Sequence, residues 1–155
     1  MVCETEAIIS LMKTIIKFGE EESELSNIDL LFKKLSEINI LAFDFPDAFD
    51  DAEYPDPPNI ETKSIELNIQ KNFPEFYQYE ITAHIKINSS EDEIFIGYPE
   101  DDLTDIIKEF KDIIWYYNNT TIDNTAWFIK FGYKSHWGKH LNDLLYFLYH
   151  FRHRL

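Results

Sequence analysis

Residues 126 to 151 read AWFIKFGYKSHWGKHLNDLLYFLYHF, a proline-free stretch with nine aromatic side chains. Such a segment cannot be left in water, since each aromatic ring offers roughly 150–250 Å² for burial. The pattern predicts one long helix, apolar around most of its circumference, with only a stripe around Lys139, Asp143 and His150 polar. A helix of that kind is the central one in a bundle, and Gly132 and Gly138 within it read as close helix crossings rather than breaks.

Upstream of it, Pro99 followed by Glu100, Asp101 and Asp102 opens a helix whose apolar stripe is Leu103, Ile106, Ile107, Phe110, Ile113, Ile114 and Tyr117. The NNTT run at 118 to 121 ends that helix, and Asp123 or Asn124 is placed to cap the next one. In residues 79 to 98, Ile81, Ala83, Ile85 and Ile87 alternate with polar residues, NSSED turns, and EIFIGY alternates again, which is the pattern of a small β-hairpin. Residues 60 to 72 satisfy two periods. Ile65, Leu67 and Ile69 alternate as in a strand, yet Ile65 and Ile69 also stand four apart, and helix is favoured slightly.

Nearer the N-terminus, residues 44 to 58 read DFPDAFDDAEYPDPP. Four prolines forbid regular structure there, leaving an acidic, aromatic-bearing loop. Ser26 with Asp29 three residues on resembles a capping box, and Ile28, Leu31, Leu35, Ile38 and Ala42 line one face of the helix that follows. Ile8, Ile9, Met12, Ile15 and Ile16 give a first helix over residues 5 to 18, closed near Gly19. The expected fold is therefore mainly α, a compact helical bundle around an aromatic C-terminal helix.

A chain of 155 residues suits one domain with a single core. Its hydrophobic fraction of 45% is ample to offset chain entropy, so disorder is not expected despite the charge. Cys3 is the sole cysteine and no basic segment precedes an apolar run near the N-terminus, so the expected home is a reducing cytoplasm. In that compartment the sequons at Asn118 and Asn119 carry no meaning. No apolar run of transmembrane length occurs; the aromatic segment is interrupted by Lys130, Lys134, Lys139 and Asp143.

The net charge of −15 is unevenly spread. Residues 126 to 155 hold one acid against five Lys/Arg, so all of the acidic excess lies in the first 125 residues. A negative field of this size repels nucleic acid and anionic lipid, and it favours encounter with a basic protein or a cation.

Four constellations could carry chemistry. His136, His140 and Asp143 stand at i, i+4 and i+7, which puts two imidazoles and a carboxylate on one helical face. HWGKH lacks the glutamate of the zinc-protease pattern, so the plainer reading is a pair of hydrogen-bonded histidines at a core edge. Asp101, Asp102 and Asp105 spell DDLTD, which looks like the magnesium-diphosphate motif of helical prenyl-chain synthases; first-turn acids also simply complement the helix dipole. Glu20, Glu21, Glu22 and Glu24, together with Asp105 and Glu109, are a third acidic set, with the glutamate run in a solvated loop. In the 44–58 loop, Phe45 and Phe49 offer aromatic anchors with Asp47, Asp50, Asp51 and Glu53 as a negative rim; the alternative is that the rings only staple the loop to the core. No nucleophile elbow, phosphate-cradling glycine loop or cysteine–histidine pairing occurs, and no cofactor is implied.

The segments EDDLTDIIKEFKDII and AWFIKFGYKSHWGKHLNDLL carry a resemblance to an uncharacterised bacterial family, domain-of-unknown-function family 5063. That family has a DDLxDIY-like helix start followed by an HWGxHLxDAL element. The likeness is close over roughly the last third of the chain. Ile107 stands where an aromatic is usual, Leu144 where alanine is usual, and the stretch from ITAHIKI to EIFIGY replaces a shorter acidic segment. The resemblance implies a compact helical fold and no known activity, and its signature maps onto Asp102, Asp105, Trp127, His136, Trp137, Gly138, His140 and Asp143.

Charge, size and the lack of catalytic apparatus lead to the expectation of a non-enzymatic module, such as an immunity protein or antitoxin, that neutralises a basic partner. The alternative is a metal or small-ligand site where Asp102 and Asp105 approach His136 and His140. Phe147, Tyr149, Phe151 and the tail of Arg152, His153 and Arg154 suit either burial within the chain or a homodimer.

Overall fold

The computed structural model describes residues 1–20, 27–82 and 94–153. Six helices and one hairpin follow in the order α1 (Val2–Glu20), α2 (Ile28–Phe43), α3 (Lys63–Asn72), β1 (Tyr79–Thr82), β2 (Ile94–Gly97), α4 (Pro99–Asn119), α5 (Ile122–Ser135) and α6 (Trp137–Arg152). The arrangement is mainly α, as the apolar periodicities require.

The core is where the stripes of these helices meet. Ile8, Met12 and Ile15 of α1, Leu31, Leu35 and Ile38 of α2, Leu103, Ile106 and Phe110 of α4, and Leu141, Leu144 and Leu148 of α6 are all buried in one cluster. α4 lies against α6 and α1, and α1 in turn packs on α2 and α3. In α3 the four-residue spacing prevails over the alternation, because Ile65 and Ile69 are buried while Leu67 faces water. The hairpin is antiparallel, with Tyr79 opposite Gly97 and Thr82 opposite Ile94. Its NSSED turn, and Ala83, Ile85 and Ile87, lie outside the described residues.

The C-terminal aromatic segment is two helices, not one. The break falls at His136, whose backbone sits at φ −145°, ψ −81°. The His136 amide still donates to Gly132 O, and the Lys139 amide opens the next helix by donating to His136 O. A segment apolar nearly all round has no solvent face to spare as one rod. Breaking it into two helices lets each bury its own stripe. The glycines make that corner. A Cβ on Gly138 would overlap the Tyr133 carbonyl, and one on Gly132 would lie 2.7 Å from Trp137 Cδ1. They mark a tight break rather than only a crossing.

Two helix starts also differ from the sequence expectation. Asn27 caps α2, its side chain accepting from the Asp29 and Leu30 amides at 2.8 and 3.3 Å; Ser26 lies outside the described residues. Thr121, not Asp123 or Asn124, caps α5, its Oγ1 accepting from the Asn124 amide at 3.1 Å. Gly19 is inside α1, where a Cβ would meet Ile107 and Ile65 side chains at 2.7 and 2.8 Å. It permits close packing of α1 on α3 and α4, and the helix ends one residue later at Glu20, near Gly19 as the sequence predicts.

The 44–62 stretch has no regular structure, yet it is tied down. Phe45 is buried against the core at 4% exposure. The Asp50 carboxylate accepts from the Ala52 amide and the Tyr54 hydroxyl, each at 2.9 Å, and from the Thr121 hydroxyl. Among the described residues no helix is long and apolar enough to cross a membrane.

Candidate functional site

The first two turns of α4 face the start of α6, where Asp102 and Asp105 meet His140 but not His136. Asp102 is buried, and a carboxylate in that position requires partners. It has two. The Tyr79 hydroxyl, reaching in from β1, donates to Asp102 Oδ2 at 2.6 Å, and His140 Nδ1 lies 2.8 Å from Asp102 Oδ1. A carboxylate accepts, so Nδ1 carries the hydrogen and Nε2 is left as the open end of the ring. His140 Nε2 stands 3.6 Å from Asp105 Oδ2, beyond hydrogen-bond range. One turn away, His136 Nδ1 is 3.1 Å from Glu109 Oε1, and the two imidazole centres are 5.0 Å apart.

The electrostatics follow from this wiring. The hydrogen bond with Asp102 raises the His140 pKa above its ordinary value, assisted by the charges of Asp102 and Asp105 and opposed by burial and by Lys139. Burial, then the bond to Asp102, pushes the Tyr79 hydroxyl far above the usual phenol range, so it remains a donor. Burial and the crowd of Glu100, Glu66, Asp105 and Asp102 raise Asp101. A pH-neutral reading of the motif as a free magnesium-binding acid cluster does not fit Asp102, which is committed to Tyr79 and His140.

The remaining signature residues serve other places. Asp143 pairs with Lys139 at 2.7 Å and lines an open cleft of about 470 Å³ between the hairpin and α6, along with Glu80, Ile81, Ile94, Asn142 and Tyr146. Trp137 is wholly buried at the α5–α6 corner, its ring edge-on to Phe110 at 5.2 Å. Gly138 is the hinge beneath it. Trp127 is apart from the cluster, stacked on Phe131 at 4.6 Å on α5. Of the third acidic set, Glu20 pairs with Lys111 at 2.7 Å, and Glu21, Glu22 and Glu24 lie outside the described residues.

The loop candidates divide as well. Phe45 is a core staple and offers no anchor. Phe49 is 76% exposed, and neighbouring Phe43 at the end of α2 is 72% exposed. Asp47 binds Lys134 of α5 at 2.8 Å, which lowers its pKa, and the Thr121 hydrogen bond, followed by those of the Ala52 amide and Tyr54, lowers that of Asp50. Asp51 and Glu53 are exposed. At the far end, Phe147 is buried, Phe151 packs on Phe147 and Tyr77, Tyr149 is exposed and Arg152 reaches Asp29 at 3.3 Å; Arg154 lies outside the described residues.

Sequence reasoning does not single out Tyr79, and it groups Glu109 with Asp105 and a glutamate run of which Glu21, Glu22 and Glu24 lie outside the described residues. Glu109 was nonetheless legible: it stands four residues after Asp105, the spacing of His136 and His140. Tyr79 had no signal, because its role depends on how the hairpin docks. The sequence matches the family described as domain of unknown function (DUF5063) over residues 15–154. The chain belongs to that family. The match extends well beyond the C-terminal third, taking in every element from α2 to α6. The fold is similar to that of protein BF1032 from Bacteroides fragilis in its crystal structure, with a TM-score of 0.73, 16% sequence identity, and coverage of 97% of this chain and 96% of that one. At that identity the likeness concerns the fold alone. Among curated proteins, none matches the chain.

Proposed function

We propose that the protein is a non-enzymatic binding module that engages a basic protein partner through the 44–58 loop and the adjoining surface of α5, in the manner of an immunity protein or antitoxin. The supporting observation is that Phe49 stands in water on a loop that is fastened at both sides of it, by Phe45 in the core and by the three hydrogen bonds of Asp50. An exposed aromatic on a fixed backbone loses little freedom on binding, which is what a hot-spot anchor requires.

Charge supports the same face. Its lysines are already engaged: Lys134 with Asp47, and Lys130 with the Phe43 carbonyl at 2.7 Å. Asp44, Asp51, Glu53 and Asp56 remain exposed as a negative rim. A rim of one sign acts on encounter rate and on rejection of wrong partners more than on final affinity.

The test is affinity capture with the full chain as bait, repeated with Phe49→Ala and with Asp51→Lys/Glu53→Lys. A stoichiometric basic protein whose capture weakens with salt and is lost with both variants supports the reading. Capture that is indifferent to salt and to charge reversal sinks it.

A further inference from the structure

The α4–α6 cluster sets two carboxylates against two imidazoles. Two carboxylates, Asp105 and Glu109, stand one helical turn apart on α4, and two imidazoles, His136 and His140, stand one turn apart across from them. Each carboxylate faces one imidazole, at 3.6 and 3.1 Å. A tetrahedral zinc ion with bonds of about 2.0–2.1 Å spaces its ligand atoms about 3.3 Å apart and two bound imidazole centres about 5 Å apart. The imidazole centres here are 5.0 Å apart.

His140 is prepared in the way metal-binding histidines are. Its Nδ1 is fixed by the buried Asp102, whose other oxygen is held by Tyr79, and this leaves the Nε2 lone pair facing Asp105. A lone pair opposed to a carboxylate oxygen at 3.6 Å is repulsive unless a proton or a cation lies between them. The four side chains do not yet converge on one point, and among the described residues no group of three does. Binding one ion requires His136 and Glu109, whose side chains are 50% and 27% exposed, to turn from their present positions.

We propose that His136, His140, Asp105 and Glu109 bind one divalent first-row transition-metal ion, with Asp102 and Tyr79 orienting His140 from behind. Two nitrogens and two carboxylate oxygens suit zinc, with copper competing through its higher place in the affinity order. The ion would join α4 to the α5–α6 corner. With four protein ligands it leaves no open position, so its role is to clamp the helices and not to activate water.

The experiment titrates the metal-stripped full chain with zinc by calorimetry, and with cobalt followed by its visible absorption, which distinguishes tetrahedral from octahedral coordination. Expected are one ion per chain, a tetrahedral cobalt spectrum, at least tenfold weaker binding in His136→Ala and in His140→Ala, and about 10–100-fold weaker binding in Asp102→Asn. His136 is half-exposed, so its variant keeps the fold even if the His140 variant does not. Absence of stoichiometric binding, an octahedral spectrum, or affinity unchanged in His136→Ala overturns the proposal. None of these outcomes bears on capture of a protein partner by the loop.

Discussion

At the α5–α6 corner Trp137 is wholly enclosed and the Asp102 carboxylate is turned inward, whereas in the loop docked on α5 Phe49 stands in water and the acids point outward or tie the backbone. Both regions are built from aromatics beside carboxylates. The difference teaches that composition does not decide the outcome; the number of helices that close over a site does. The corner lies under α4, α5 and α6 together, so a ring there gains full burial and a polar group there must find a partner. The loop rests on one side of α5, and proline keeps it from joining a ladder that would cover it.

Substitution should separate the two regions sharply. Trp137→Ala removes a side chain packed against Phe110, Tyr133 and Gly132, and it is expected to cost about 3–5 kcal/mol in urea unfolding. A loss below about 1 kcal/mol would erase the contrast with the loop. Next in size is Gly138→Ala. The added methyl meets a backbone carbonyl of α5, which cannot rotate aside, so the corner has to open, at an expected cost of about 1–3 kcal/mol or more. If instead the variant is as stable as the parent, the corner is not set by close approach at Gly138.

The polar half of the corner is weaker but more specific. Asp102→Ala leaves the Tyr79 hydroxyl and the His140 Nδ1 hydrogen without an acceptor, with an expected loss of about 1–3 kcal/mol in the metal-stripped chain. Tyr79→Phe, measured alongside, should cost less, because it removes a donor and leaves Asp102 its histidine.

Why the corner was missed and the core was not comes down to what periodicity records. Leu31, Leu35 and Ile38, or Leu103, Ile106 and Phe110, each face one side of one helix, and a 3.6-residue period reports that directly. The break at His136 leaves no trace of this kind, since the apolar residues on both sides of it keep helical spacing with each other. Only Gly132 and Gly138 hinted at it, and a glycine signals close approach without saying to what. The site was half legible for the same reason. Asp102, Asp105, His136 and His140 could be named because each pair keeps helical spacing, while Tyr79 arrives from a hairpin whose docking no local pattern specifies.

A pH series sharpens the comparison further. The folded pKa of His140 is raised by Asp102, so the bond stabilises the metal-stripped fold fully below the ordinary value of 6.5 and its contribution fades as pH rises through the higher folded value. Asp102, Asp105 and the His136 ring face the His140 ring, Tyr79 holds the far oxygen of Asp102, and Lys139 lies nearby. Unfolding midpoints of the parent should therefore fall relative to those of His140→Gln across that window. Parallel curves for the two proteins would show that the pair is not formed.

The smallest effect on stability is expected where the effect on binding is largest. Phe49→Ser exchanges a ring that is 76% exposed, so unfolding should shift by no more than about 0.5 kcal/mol. Phe45, four residues earlier and buried at 4%, provides the internal control: its truncation to alanine should cost several times as much and release the loop. If Phe49→Ser abolishes partner capture at unchanged stability, exposure at this position is kept for recognition. If capture persists in Phe49→Ser but fails in Phe45→Ala, the partner reads the shape of the fastened backbone and its acids, and the ring is incidental.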